Sequence, residues 1–199
     1  MSGLALEWVG DRGRFAELRA EWDELLVRSG AALFNSWEWL YPWCERVAPR
    51  ARLRILLVRD SEGRLVGALP LVREREGPAR KLSFIAGRGV GSDDLDILVD
   101  RGVGAAVLDA MAEALVREEG WDVLQLSDVP QGQTAAMGLV ERLESDEVSN
   151  TSSSPHAGHR QERRRYRCPV ISFPPGTTWP ELLSRSGRRD NVRRRLTWL

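Results

Sequence analysis

The chain reads as a mixed α/β domain: a sheet of mixed strand direction with helices on both faces. Three stretches predict this. Apolar runs at Arg52–Val58, Leu65–Val72 and Lys81–Ile85, separated by the turns Asp60–Gly63 and Glu74–Pro78, form an antiparallel meander. Leu95–Leu126 then reads strand, glycine turn, helix, strand, a unit that normally sets its two strands parallel. Helical periodicity flanks both, at Phe15, Leu18, Trp22, Leu25 and Leu26 before the meander and over Thr134–Leu143 after the crossover.

Leu4–Val9 is a first strand, and Asp11 offers a cap to a helix that runs to Ser29, where Gly30 stops it. Phe34–Trp43 is dense in aromatics, which read chiefly as packing residues because Trp and Tyr bury large areas. Ser36 can cap a second helix there, and Pro42 must kink it or begin a new turn. Pro70, inside the second meander strand, predicts an edge or bulge position because proline cannot donate to a ladder. Gly120 is the expected stop of the crossover helix. Glu147–Ser154 is a candidate edge strand and Tyr166–Phe173 a final strand.

At 199 residues the chain is long enough for one well-buried domain with an appendage. With 42% hydrophobic and 29% charged residues it sits near globular averages, and no apolar run approaches the roughly 20 residues that span a bilayer. The amino terminus has no secretory pattern, so the expected location is cytoplasmic. Two distant cysteines, Cys44 and Cys168, fit a reducing compartment, although a bridge between them stays open. The zero net charge hides an asymmetry: from Arg160 onward eleven Arg face three acidic residues, an excess of eight that the first 159 residues cancel.

The chemically suggestive element is the turn Arg101-Gly102-Val103-Gly104-Ala105-Ala106, which fits R-x-x-G-x-A between strand and helix. Glycines there let the backbone turn tightly and approach a ligand, and the first N–H groups of the helix carry partial positive charge suited to a phosphate or pyrophosphate. A plain helix-capping loop would show the same pattern. His156 and His159, with Glu162 beyond, have metal-ligand spacing, but the Ser-, Pro- and Arg-rich surroundings read as a solvated loop and no metal site is expected. Thr178–Leu199 reads as a helix with a strongly basic surface. A nucleic-acid contact or a helix lying on a membrane surface would explain its charge, yet no groove-reading motif accompanies it, and a connector helix fits better.

The pattern at 101–106 resembles the turn with which GNAT-family acyltransferases hold the pyrophosphate of acetyl-CoA. The chain as a whole is similar to the amino-terminal half of the CelD/BcsL-type acetyltransferases, a GNAT branch linked to cellulose and other exopolysaccharide synthesis. The likeness is carried by Leu18-x3-Trp22-x2-Leu25-Leu26, Phe34-x-Ser36-x2-Trp39-Leu40, Leu65–Leu71, Ser92-Asp93-Asp94-Leu95-Asp96, Trp121-Asp122-x-Leu124-x-Leu126, Cys168-Pro169 and the arginine-rich Arg188–Leu196. It implies a GNAT-like domain over 1–175 and a basic connector over 176–199, leading into a second GNAT-like domain as in the FemABX-like tandem proteins.

The resemblance implies acetyl-CoA, or another acyl-CoA, as cofactor, bound at Arg101 to Ala106, with an amine or hydroxyl acceptor. The acceptor proton needs a base, and Asp93 and Asp94, just before the turn, are the candidates. Loop solvation explains the same two residues. A non-catalytic substrate-binding or interaction domain is the alternative function.

Overall fold

The computed structural model describes residues 3–87, 90–144, 161–162 and 174–181. The chain divides into two compact units, Met1–Arg160 and Gln161–Leu199, and the expected boundary at 175/176 falls inside the second. The proposed strands at 147–154 and 166–173, the histidines and Cys168 lie outside the described residues, as do 182–199 of the basic helix.

In the first unit, β1 (Ala5–Val9) is followed by α1 (Arg12–Glu17) and α2 (Arg19–Ser29), a 3-10 turn at Leu33–Asn35, and α3 (Trp37–Pro42). Then come β2 (Arg52–Leu53), β3 (Ile55–Arg59), β4 (Leu65–Leu69), β5 (Leu71–Glu76), β6 (Ala79–Phe84), β7 (Leu98–Val99), α4 (Gly104–Arg117), β8 (Val123–Gln125) and α5 (Ala135–Glu144). The strands pair as two four-stranded sheets, in the orders β1-β3-β4-β7 and β2-β5-β6-β8.

The two sheets are halves of one hairpin. β2 runs into β3 through Arg54, and β4 into β5 through Pro70. The Arg54 N–H donates to Leu71 O at 2.8 Å and keeps the pair continuous across the break. Pro70 therefore sits in a central strand, at the break between β4 and β5, so of the two positions expected, edge or bulge, the edge is excluded. Lacking an N–H, it falls at the residue where the strand changes partners from β3 and β7 to β2 and β6. The Pro70 carbonyl still accepts from the Ile85 N–H at 3.0 Å.

Alternation along β3 shows why helices cover both faces. Ile55 and Leu57 belong to a core with Phe15, Leu18, Trp22, Leu25 and Leu40 from α1 to α3, with the linking Leu18 included. Leu56 and Val58 belong to the opposite core with Val107, Met111 and Leu115 of α4 and Leu139 of α5. Successive strand residues point to opposite faces, so each face needs its own helical layer. Gly67 is required by this packing: a Cβ there would lie 2.5 Å from Val107 Cγ1 and 2.8 Å from Met111 Cε.

Local signals account for several boundaries. Asp11 caps α1 by accepting from the Arg14 N–H at 2.8 Å, and Gly30 ends α2 in the left-handed conformation, φ 66°. The first helix is two segments, because Leu18 at the joint leaves the helical pattern with ψ −4°. Ser36 occupies the cap position of α3 but its hydroxyl makes no cap bond. Pro42 is accommodated inside α3, whose last turn widens into a π turn at Trp43–Val47. The crossover also departs from expectation. α4 ends at Arg117, three residues before Gly120, and β8 runs parallel to β6 in the other sheet, not beside β7.

Candidate functional site

β7 delivers the chain directly into α4. The Asp100 N–H bonds to Val66 O at 2.9 Å, and the Val103 N–H closes the turn on Asp100 O at 3.1 Å. The Asp100 carboxylate accepts the Gly102 N–H at 3.0 Å and Arg28 Nε at 2.8 Å, with Arg64 at 4.0 Å. The Gly102 N–H, and beyond it Arg28, hold the Asp100 carboxyl below the usual carboxylate range against the opposing effect of burial.

α4 itself starts without a cap. Val103 stands at the cap position with no side-chain bond to offer, and the first turn contains no acidic residue. Ala105 and Ala106 are exposed. Among the described residues the N–H groups of Gly104, Ala105 and Ala106 meet no side-chain acceptor, and Val103 gives the positive end of this 14-residue helix no cap.

α5 follows a strand running the same way and is treated differently. The Asp96 carboxylate accepts from Ala135 N at 3.1 Å and Ala136 N at 2.7 Å, while Thr134 Oγ1 accepts from Met137 N at 3.1 Å. Of these two helix starts, the protein closes that of α5 with its own carboxylate and leaves Ala105 and Ala106 at that of α4 exposed.

The structure places the residues expected from sequence as follows. Arg101 turns away from the α4 start, donating through Nε to Ser29 O at 3.0 Å and packing against Gly30 at the end of α2. Gly102 and Gly104 do not use the left-handed backbone that favours glycine. A Cβ at Gly102 would stand 3.4 Å from Asp100 Oδ1, and one at Gly104 3.7 Å from Val99 Cγ1, both ordinary contacts. What survives of R-x-x-G-x-A is the backbone of Gly104 to Ala106, kept approachable by small side chains, with Val103 40% exposed beside it.

Asp93 and Asp94 are both exposed, on the connector between β6 and β7. Asp94 is held with φ 52°, and its carbonyl accepts from Asn35 Nδ2 at 2.9 Å. Among the described residues no hydrogen bond or ion pair links either carboxylate to residues 101–106.

Three residues gain importance that sequence reasoning did not give them. Asn35, 1% exposed, binds Asp94 O through Nδ2 and the Asp96 N–H through Oδ1 at 2.8 Å, while its carbonyl accepts from Trp22 Nε1 at 2.9 Å. It pins the connector to the helical layer. Asp96 caps α5; burial pushes its carboxyl up, opposed by the N–H groups of Ala136, Ile97 and Ala135. Its position between buried Leu95 and Ile97 was the available signal, a carboxylate inside an apolar run. Arg142 of α5 reaches back across α4, with Nε 2.5 Å from Asp109 Oδ1 and Nη2 3.5 Å from Ala105 O. It stands beside the open helix start with its charge paired to Asp109.

Among the described residues no group of His, Cys, Asp and Glu could hold a metal ion, and no helix is long and apolar enough to cross a membrane. No protein-family model matches the chain, and no curated protein matches it either. Among solved structures, a possible acetyltransferase from Clostridium difficile 630 is similar to it with a TM-score of 0.45 and 10% sequence identity, over 85% of this chain and 99% of that one. A likeness at this level carries no weight on activity.

Proposed function

We propose that the chain is a GNAT-type domain of an acyl-CoA-dependent N- or O-acyltransferase, holding the acyl-CoA pyrophosphate at the first turn of α4. The observation that carries this reading is the uncapped start of α4, with exposed Ala105 and Ala106 over backbone donors that have no side-chain acceptor among the described residues. Gly104, Ala105 and Ala106 supply the N–H groups, and Arg142, paired to Asp109, flanks them. Acyl-CoA brings the thioester carbonyl that the acceptor amine or hydroxyl attacks. The protein must then position the two and take the acceptor proton, the role this reading gives to Asp93 or Asp94. In the fuller form of the proposal, a second GNAT-like domain completes the enzyme and the acceptor belongs to cellulose or another exopolysaccharide pathway, in keeping with the resemblance read from the sequence.

A second reading is favoured by a specific contact. The Asp100 carboxylate accepts from Arg28 Nε of α2, and Arg101 donates to Ser29 O, so both charged side chains of the turn tie β7 to α2. A non-catalytic half of such an enzyme, with the turn kept for architecture, would look the same.

Calorimetric titration of the chain with acetyl-CoA separates the two. The first reading expects saturable binding that Ala106→Glu weakens, and acetyl transfer, measured with whatever second domain completes the enzyme, that drops in the Asp93→Asn, Asp94→Asn double variant. Absence of binding by the folded chain would leave the architectural reading standing.

A further inference from the structure

At the opposite end of α4, about 20 Å along the helix from its first turn, five arginines gather on one face of the sheet β2-β5-β6-β8. The strand register places Arg52 directly opposite Arg73, and Arg75 directly opposite Arg80. Arg73 and Arg75 are two residues apart and share that face, and Arg54 joins them through its contact with Glu118. Like charges facing each other across a ladder destabilise it, so two such pairs on one face call for an explanation.

Three carboxylates stand among them. Glu118 takes Arg54 in a bidentate pair at 2.8 and 2.5 Å and Arg73 at 2.6 Å, and Asp122 takes Arg80 at 2.7 Å. Glu119 lines the same region, and its carbonyl accepts weakly from Arg73 at 3.4 Å. Five guanidiniums against three carboxylates leave an excess of two, and Arg52 and Arg75 make no ion pair among the described residues. Neutralising Glu118, Glu119 and the negative end of α4 does not need that many cations.

The arginines also frame a space. A cavity of about 340 Å³ is lined by Arg52, Leu53, Arg54, Arg73, Glu118 and Glu119. One wall is well anchored: the Arg54 guanidinium lies 4.3 Å from the ring centroid of Trp8 while paired to Glu118. Arg73 forms one wall: its Nη2 donates to Glu118 at 2.6 Å, and its buried Nε has no hydrogen-bond partner among the described residues.

We propose that this arginine face is an anion site, separate from the α4 turn, that takes a compact oxyanion, the phosphate or carboxylate group of a small molecule, between Arg52 and Arg73. Guanidinium groups suit such ligands because their planar donor sets match two oxygens at once. The site does not depend on the acyl-CoA reading.

The test is calorimetric titration of the whole chain with inorganic phosphate and, separately, with glucuronate, at constant ionic strength and in the Ala106→Glu background, which closes the α4 turn to anions. Saturable binding of either probe, weakened about tenfold or more by Arg52→Gln, is the expected result. Phosphate alone binding would identify a phosphoryl ligand, and glucuronate alone a sugar acid. Arg52→Gln relieves a like-charge pair on an exposed residue, so its thermal midpoint should hold or rise and folding does not confound the reading. Failure of both probes to saturate in the millimolar range, or equal affinity in the Arg52→Gln protein, would overturn the proposal.

Discussion

Ala106→Glu separates stability from ligand binding because it should move them in opposite directions. Residue 106 is the third helical position of α4, exposed, in a first turn that contains no acidic residue. A carboxylate there meets the positive end of the helix and should stabilise the fold by about 0.3 to 1 kcal/mol at low ionic strength. In a protein of this length that is a rise of about 1 to 4 °C in the thermal midpoint, readable by circular dichroism. The same carboxylate would confront a pyrophosphate bound to the turn. At about 4 Å one pair of unit charges repels by about 1 kcal/mol in bulk water and about 4 kcal/mol at the effective dielectric of a protein surface, so acetyl-CoA affinity should fall by about fivefold to a thousandfold.

The control is Ala106→Gln, which adds the same bulk without charge and should retain most of the affinity. Both effects of Ala106→Glu should shrink as salt is raised, since the turn is exposed. An acetyl-CoA affinity unchanged within about threefold, alongside the expected stabilisation, would refute the placement of the pyrophosphate at α4, because no geometry brings phosphates to these N–H groups without approaching residue 106.

Other perturbations test the architecture. Gly30→Ala places a Cβ on Arg101 Nη2 in a left-handed residue and should cost about 1 to 2 kcal/mol for the backbone alone; adding Arg101→Ala should recover the steric part but not the backbone part, a difference that urea denaturation of the single and double variants measures. Gly67→Ala drives a methyl into Val107 and Met111 and should destabilise by about 1 to 3 kcal/mol without altering the slope of the urea transition. Asp100 has its carboxyl lowered in the fold, so its contribution is present above the ordinary Asp value of about 3.9 and is lost as pH falls through the folded value. The stability gap between wild type and Asp100→Asn should therefore narrow below about pH 4 in acid titrations followed by fluorescence. Cys44 is buried and its thiol is pushed up to about 12 by burial, so in a Cys168→Ser background the folded protein should resist alkylation at pH 8 and react on unfolding.

Much of the first unit was legible because local chemistry and tertiary structure agree. Asp11, Gly30 and the Asp60–Gly63 turn do in the fold what their types dictate, with Gly63 at φ 81° and its N–H on Asp60 O at 3.0 Å. The alternation of β3 announced a strand with two buried faces. What sequence could not show is where one sheet becomes two. Pro70 read alone means an edge or a bulge, and only the partners brought by residues 79–84 and 98–99 reveal a central strand changing sheets at that residue. The run Leu95–Val99 read as a strand, yet only Leu98 and Val99 pair. Leu95 and Ile97 are buried by core packing, and Asp96 between them is turned to the start of α5.

The turn at 101–106 was legible as the link from strand to helix, but the partners of its charged side chains were not, for one physical reason. An arginine opening a glycine turn before a helix looks aimed at phosphate, but the end of α2 has its own unsatisfied carbonyls and a negative dipole that attract cations. Arg101 answers Ser29 O there, 72 residues away in sequence, and Arg28 from the same helix end answers Asp100. The turn's two charges clasp α2, which is information no window around residue 101 contains. The clasp also limits what the turn can do. With Arg101 engaged and the Gly102 N–H already given to Asp100, a phosphate at this site must be held by Gly104, Ala105 and Ala106 through backbone alone, with the Asp109-paired Arg142 beside them. Arg101→Ala should therefore loosen the contact with α2 and lower stability while leaving acetyl-CoA affinity nearly intact, whereas an arginine that bound the pyrophosphate would show the reverse.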